Sequence, residues 1–64
     1  MKRAEIREVL KRHPGSLGTL ADELGVTVTV VSMVLRNKST SDRVLKAAEK
    51  RARQFLEREA QNAA

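Results

Sequence analysis

The chain has 64 residues, enough for a single domain over residues 1–64 and too few for a second core, since domains of ordinary size start near about 50 residues. Hydrophobic residues make up 41 % of the chain and aromatic residues 2 %, so the core must be aliphatic, and no apolar run approaches the roughly 18 residues of a membrane span. The net charge is +5, and the absence of cysteine together with a single histidine excludes a disulfide framework and a Cys-based zinc site, so we expect a cytoplasmic protein without metal or cofactor.

Two amphipathic helices are predicted in the first third of the chain. A helix over 3–13 is indicated by residues that share one face: Ile6, Val9, Leu10 and His13. Pro14 and Gly15 end it. A second helix over 17–24, with Ser16 as its N-cap and Gly25 after its end, is indicated by a similar set: Leu17, Leu20, Ala21 and Leu24. His13 suits the negative end of the first helix dipole, and we assign it no chemistry.

The third element can be interpreted in two ways. Residues 26–30 alternate valine and threonine, which by propensity alone favours a half-buried strand. The alternation fails at Val31, and from there the apolar spacing is helical. One side of that helix would carry Thr27, Val30, Val31, Val34 and Leu35. The other side would carry Val28, Thr29, Ser32, Met33 and Arg36. We therefore predict a helix over 27–37 with Thr27 as N-cap.

A long last helix is predicted over 40–61, after a linker in which Ser39 and Asp42 could form a capping box. Its apolar stripe has the width of a core-facing helix and contains Val44, Leu45, Ala48, Ala52, Phe55 and Leu56. The opposite stripe is basic and contains Arg43, Lys46, Lys50 and Arg53. The last three can be plain solvated surface, whereas Arg43 is close enough to the linker to contact phosphate. The predicted fold class is therefore all-α, a four-helix bundle.

The far end of this helix suggests a dimer. At 1.5 Å per residue the helix would be about 33 Å long, more than the three shorter helices can cover. We expect Phe55, Leu56 and Ala63 to extend past them with their apolar side uncovered and to pair with a second copy, so that residues 55–64 form a dimerisation tail. The alternative is that residues 57–64 fray without a function.

The positive charge is concentrated in the middle of the chain. Residues 25–53 hold seven basic and two acidic side chains, whereas residues 1–24 have a net charge of +1 and the last eleven residues −1. A basic excess in one segment is typical of a protein with one side facing a polyanion such as nucleic acid. A general solubilising excess is the alternative.

Residues 17–36 combine a helix, a three-residue turn and a second helix, the pattern of a helix-turn-helix. Ala21 is small where the two helices would cross. Gly25 lies in the turn, where a positive φ costs glycine nothing and other residues about 1–2 kcal/mol. The angle between the helices would be filled by Leu20, Leu24, Val26, Val31 and Val34. In this motif the second helix lies in the DNA major groove.

The segment LADELGVTVTVVSMVLRNKS followed by RVLKAAEK resembles the DNA-binding headpiece of the lac repressor family, within the lambda-repressor-like group. The resemblance covers residues 17–50; the helix before the motif departs from that headpiece and is similar to small phage repressors and Cro-like regulators. The resemblance implies that the helix over 27–37 binds an operator. It also implies that the protein is a small bacterial or phage-type transcriptional repressor associated with the nucleoid. The family's hinge and sugar-binding domain are absent from these 64 residues, so no small-molecule effector is implied.

In the resembled family, the first residues of the recognition helix and those one turn later contact bases. The corresponding base-reading candidates are Val28, Thr29, Ser32, Met33 and Arg36. Val28 and Met33 offer only apolar contacts, for example to thymine methyl groups, so specificity would depend on Thr29, Ser32 and Arg36. Candidates for phosphate contact are Ser16, Leu17, Gly18, Thr27, Asn37, Lys38, Ser39 and Arg43. For Ser16 and Ser39, a role as a helix cap alone is as good an explanation as phosphate contact.

Other functional classes have less support. The chain has no Ser/His/Asp set and no glycine-rich phosphate loop, so we do not expect an enzyme. A protein-interaction module, such as an antirepressor or a docking subunit that uses Val28 and Met33, is the main alternative to a DNA-binding regulator. A third possibility is an architectural DNA-binding protein without sequence preference.

Overall fold

Apolar residues at helical spacing produce four α-helices in the computed structural model, which describes residues 1–62 and has no strand in that range. The helices are α1 (Arg3–Lys11), α2 (Ser16–Leu24), α3 (Val28–Leu35) and α4 (Asp42–Asn62). The prediction of an all-α fold with four helices is confirmed. Each predicted helix end lies within two residues of the observed one. Taken singly, none of the helices in residues 1–62 is long and apolar enough to cross a membrane.

The connection between α1 and α2 differs from the prediction. Gly15, with a left-handed φ of 87°, stands at the N-cap position, and Ser16 is the first residue of α2. The Ser16 side chain is buried, and its hydroxyl donates to the Leu10 carbonyl at 2.8 Å. The prediction of Ser16 as N-cap is therefore wrong, because its hydroxyl satisfies a carbonyl at the end of α1 instead of an amide of α2.

Residues 26–30 do not form a strand. Thr27 has an extended backbone, and its Oγ1 accepts a hydrogen bond from the Val30 amide at 3.2 Å, so Thr27 is the N-cap of α3 as predicted. Helical spacing buries Val31, Val34 and Leu35 together, and this burial outweighs the β-propensity of the alternating segment.

Substituting Thr27 with alanine is expected to lower the free energy of unfolding by about 1 kcal/mol, since the Val30 amide loses its acceptor. Urea denaturation followed by far-UV circular dichroism measures the change. Thr27→Ser keeps the hydroxyl and should retain most of the stability. An equal loss in both variants would contradict a capping role for this side chain.

Hydrogen bonds that the sequence did not predict end α3 and cap the start of α4. Asn37 has a left-handed φ of 61°, and the amides of Asn37 and Lys38 donate to the carbonyls of Val34 and Met33. This is a Schellman motif, which asparagine can enter at low cost, and it ends α3 before residue 37. At the start of α4, the Ser41 hydroxyl accepts from the Val44 amide. The predicted capping box of Ser39 and Asp42 is therefore wrong.

The core lies where all four helices meet, with α1 packed against α4 and α2 against α3. Its buried hydrophobic side chains are Ile6, Val9, Leu10, Leu20, Ala21, Val31, Val34, Leu35, Val44, Ala48 and Ala52. Val30, which we predicted on the inner side of α3, is 37 % exposed. At about 100° per residue it lies beside the sector that Val31, Val34 and Leu35 bury, so that part of the prediction is wrong.

Phe55 was also predicted to be uncovered, and it is not. It is partly buried at the edge of the core, with its ring stacked on that of His13 at a centroid distance of 3.9 Å and an interplanar angle of 11°. The prediction underestimated how far α1 and the turn after it extend along α4. Leu56 is 38 % exposed, as expected of an uncovered residue. Ala63 lies outside the described residues.

Candidate nucleic-acid interface

The pair formed by α2 and α3 is the central feature of the candidate site. The two helices are joined by residues 25–27 and differ in direction by 103°, within the range of about 90–120° that helix-turn-helix units adopt. Gly25 has the predicted positive φ, 70°, and a Cβ there would meet no atom within 4 Å. Backbone conformation, and not space, is what favours glycine at this turn.

The angle between α2 and α3 is filled largely as predicted. Leu20, Val31 and Val34 are buried, and Leu24 and Val26 pack against them at the edge of the core. The Gly25 and Val26 amides donate to the carbonyls of Asp22 and Ala21, which ends α2 in the same way as α3 ends. Ala21 itself is 2 % exposed, consistent with a close approach of the two helices.

Two arginines of α4 bind the C-terminal end of α2. The Arg43 Nη2 donates to the Leu24 carbonyl at 2.6 Å, and Arg51 pairs with Glu23. Arg43 was predicted to contact phosphate, and the structure gives its guanidinium a partner inside the protein while leaving the residue exposed. The contact fixes the turn before α3 against α4, which local sequence patterns cannot reveal because the partners are 19 residues apart.

The outer face of α3 carries the residues predicted to read bases. Val28 and Met33 are 44 % and 40 % exposed, Thr29 and Arg36 are also exposed, and Ser32 is half-buried. Val30 is an exposed apolar residue that the prediction missed, although its position beside the buried sector of the helical wheel could have indicated it. The structure therefore brings four of the predicted residues and Val30 together on one short helix, with the fifth, Arg36, at its C-cap.

The predicted phosphate contacts other than Arg43 fall into three groups in the structure. Thr27, Asn37, Lys38 and Ser39 are exposed and lie at the two ends of α3 or in the segment that follows it. Leu17 and Gly18 are half-buried in the first turn of α2. Ser16 is withdrawn from the surface by its bond to Leu10, so its hydroxyl does not face a ligand.

A separate groove of about 400 Å³ runs between α1 and α4. Its lining residues are Met1, Ala4, Glu5, Glu8, Val9, Arg12 and Leu56. Arg12, one of these residues, has its Nη2 atom 3.4 Å from Glu59, and Glu59 also lies 3.7 Å from His13 Nε2. Of the predicted dimerisation residues, Leu56 lines this groove, and Phe55 does not.

Comparison of the chain with protein-family models, with curated proteins and with solved structures gives no match. Within residues 1–62, no cluster of three or more histidine, aspartate or glutamate side chains could hold a metal ion. The geometry of α2, α3 and the basic residues around them is thus the basis for a functional assignment.

Proposed function

We propose that this protein is a sequence-specific double-stranded DNA-binding protein that inserts α3 into the major groove. The observation that carries the proposal is the bend of 103° between α2 and α3 across a three-residue turn, with the outer face of α3 exposed. A helix with one side packed on the domain and the other side exposed can lie in a groove about 12 Å wide.

The charges next to α3 support the same assignment. Arg36, Lys38 and Arg43 are exposed and lie at the end of α3 or close to it in the chain, whereas α3 itself has no charged residue. This distribution suits a helix in the groove with basic side chains on the phosphates at its edges. Asn37 and the start of α3 at Thr27 offer further polar groups for the DNA backbone.

The biological role that fits such a domain is transcriptional repression by occupation of an operator in the cytoplasm. The resemblance of residues 17–50 to repressor headpieces supports this part of the proposal. A palindromic operator calls for two copies related by a two-fold axis. Because His13 covers Phe55, the dimerisation part of the proposal now depends on Leu56 and the groove between α1 and α4.

The proposal is tested by selecting bound duplexes from a random pool and then measuring affinity for the enriched site at several salt concentrations. Three basic side chains per protomer predict a slope of about −2.7 in a plot of log affinity against log salt for one bound protomer, an affinity loss of about 40-fold between about 50 and 200 mM. Two protomers on a palindromic operator predict about twice that slope. Failure to enrich any sequence, or an affinity that does not change with salt, would contradict it.

A protein-interaction module remains the second candidate, because Val28, Val30 and Met33 expose apolar surface on one helix. An apolar protein interface would be insensitive to salt and would show a negative heat-capacity change on binding. An architectural DNA-binding protein would bind random and selected duplexes equally well. The same selection and titration therefore separate all three functions.

A further inference from the structure

Exposed apolar surface is concentrated on α3. Of the five large hydrophobic side chains that are exposed in residues 1–62, three lie on this eight-residue helix: Val28 at 44 %, Val30 at 37 % and Met33 at 40 %. The other two, Met1 and Leu56, line the groove between α1 and α4. The helix that would meet base edges therefore carries most of the exposed large hydrophobic residues in residues 1–62.

The same helix lacks the side chains that usually identify bases. Guanine is read by arginine or lysine with two hydrogen bonds, and adenine by asparagine or glutamine. The sequence of α3, VTVVSMVL, contains none of these four residue types, and its side-chain hydrogen-bonding groups are the hydroxyls of Thr29 and Ser32. Arg36, at the C-cap, is the nearest residue that could form a paired hydrogen bond to a base.

The apolar group that a pyrimidine presents in the major groove is the methyl group on C5 of thymine. A methyl group at C5 of cytosine occupies the same place on the base edge. We propose that α3 recognises C5-methyl groups of pyrimidines, with Val28 and Met33 as the contacting side chains. This inference rests on the proposed function. Recognition then depends on the methyl group, whether thymine or 5-methylcytosine carries it.

Charge supports DNA over an apolar protein as the occupant of this surface. Arg36 and Lys38 follow α3 directly, and residues 25–53 carry seven basic and two acidic side chains. Uncharged side chains in the middle with basic side chains at the edge match the order of base edges and phosphates across a groove. Met33, with an unbranched and flexible side chain, can adjust to methyl groups at slightly different positions.

The direct test uses the duplex enriched from a random pool and replaces its thymines with uracil, which removes the methyl group and keeps base pairing. Each contacted methyl group is expected to account for about a fourfold loss of affinity, the value for burying one carbon of this size. In a second duplex, a contacted T·A pair is changed to C·G. Methylation of that cytosine at C5 should then raise the affinity for this second duplex by about fourfold.

Variants connect the effect to α3. In Val28→Ala and Met33→Ala the affinity ratio between the thymine and uracil duplexes should fall toward one, and because both residues are exposed the variants should stay folded. Gln54→Ala is the control, since Gln54 is exposed on α4 and does not line the groove proposed for dimerisation. Its thymine-to-uracil ratio should equal that of the unaltered protein.

The outcomes separate this inference from the proposed function. Equal affinity for the thymine and uracil duplexes, or an enriched site without thymine among its contacted positions, overturns methyl recognition and leaves DNA binding intact. A ratio that is unchanged in both α3 variants also overturns it. If no duplex is enriched or bound at all, the proposed function itself fails.

Discussion

Met33→Glu is expected to reduce affinity for the selected duplex by about 100-fold while leaving the fold unchanged. Met33 lies on the outer face of α3 and is 40 % exposed, so the substitution does not disturb the core. A carboxylate at this position would enter the groove between two rows of phosphates, and like-charge contacts at an interface cost several kcal/mol. Titration of a fluorescently labelled duplex at constant salt measures the loss, and circular dichroism checks the fold.

Gln54→Glu is the control for this variant, because it makes the same change in net charge on an exposed position of α4. Its affinity should change by much less than that of Met33→Glu. Equal losses in the two variants would mean that total charge, and not the face of α3, determines binding. Undiminished affinity in Met33→Glu would exclude α3 as the helix in the groove.

The largest expected effect on stability is that of Leu20→Ala. Leu20 is 2 % exposed and fills the angle between α2 and α3, so its truncation should lower the free energy of unfolding by about 2–5 kcal/mol. Cores of chains below about 70 residues rarely supply more than about 3–5 kcal/mol. We therefore expect this variant to be largely unfolded at room temperature, as measured by urea denaturation.

The matched control is Leu56→Ala, which removes the same atoms from a side chain that is 38 % exposed. Its loss should be smaller, about 1–2 kcal/mol, because part of the side chain is already in water and its removal leaves no enclosed cavity. A Leu20→Ala protein as stable as this control would show that the angle between α2 and α3 is not held by side-chain packing. It would also remove the structural basis for presenting α3 to DNA.

Periodicity predicted the helices of this protein well because burial of apolar side chains decides them. In α3 the same burial overrode the β-propensity of residues 26–30, and the helical repeat from Val31 onward made this visible in the sequence. Helix ends were less predictable. Ser39, Thr40 and Ser41 are adjacent hydroxyl residues, and only the path of the chain after Asn37 selects Ser41 as the cap.

For the candidate site, the exposure of Val28, Thr29, Met33 and Arg36 followed from the helical wheel. The contacts that hold the site in place could not be predicted from the helical wheel. The bond from Arg43 to Leu24 and the stacking of His13 on Phe55 join residues that are far apart in the sequence, so they depend on how the helices pack and not on any local pattern.

The arginine contacts from α4 to the end of α2 have a further consequence for how this protein would meet a partner. With α2 tied to α4 and both ends of α3 closed by their own hydrogen bonds, α3 is ordered before any encounter. Preorganisation of this kind removes the ordering cost that a flexible segment carries into a complex. Association is then governed by diffusion and electrostatic steering, without a folding step that would slow it.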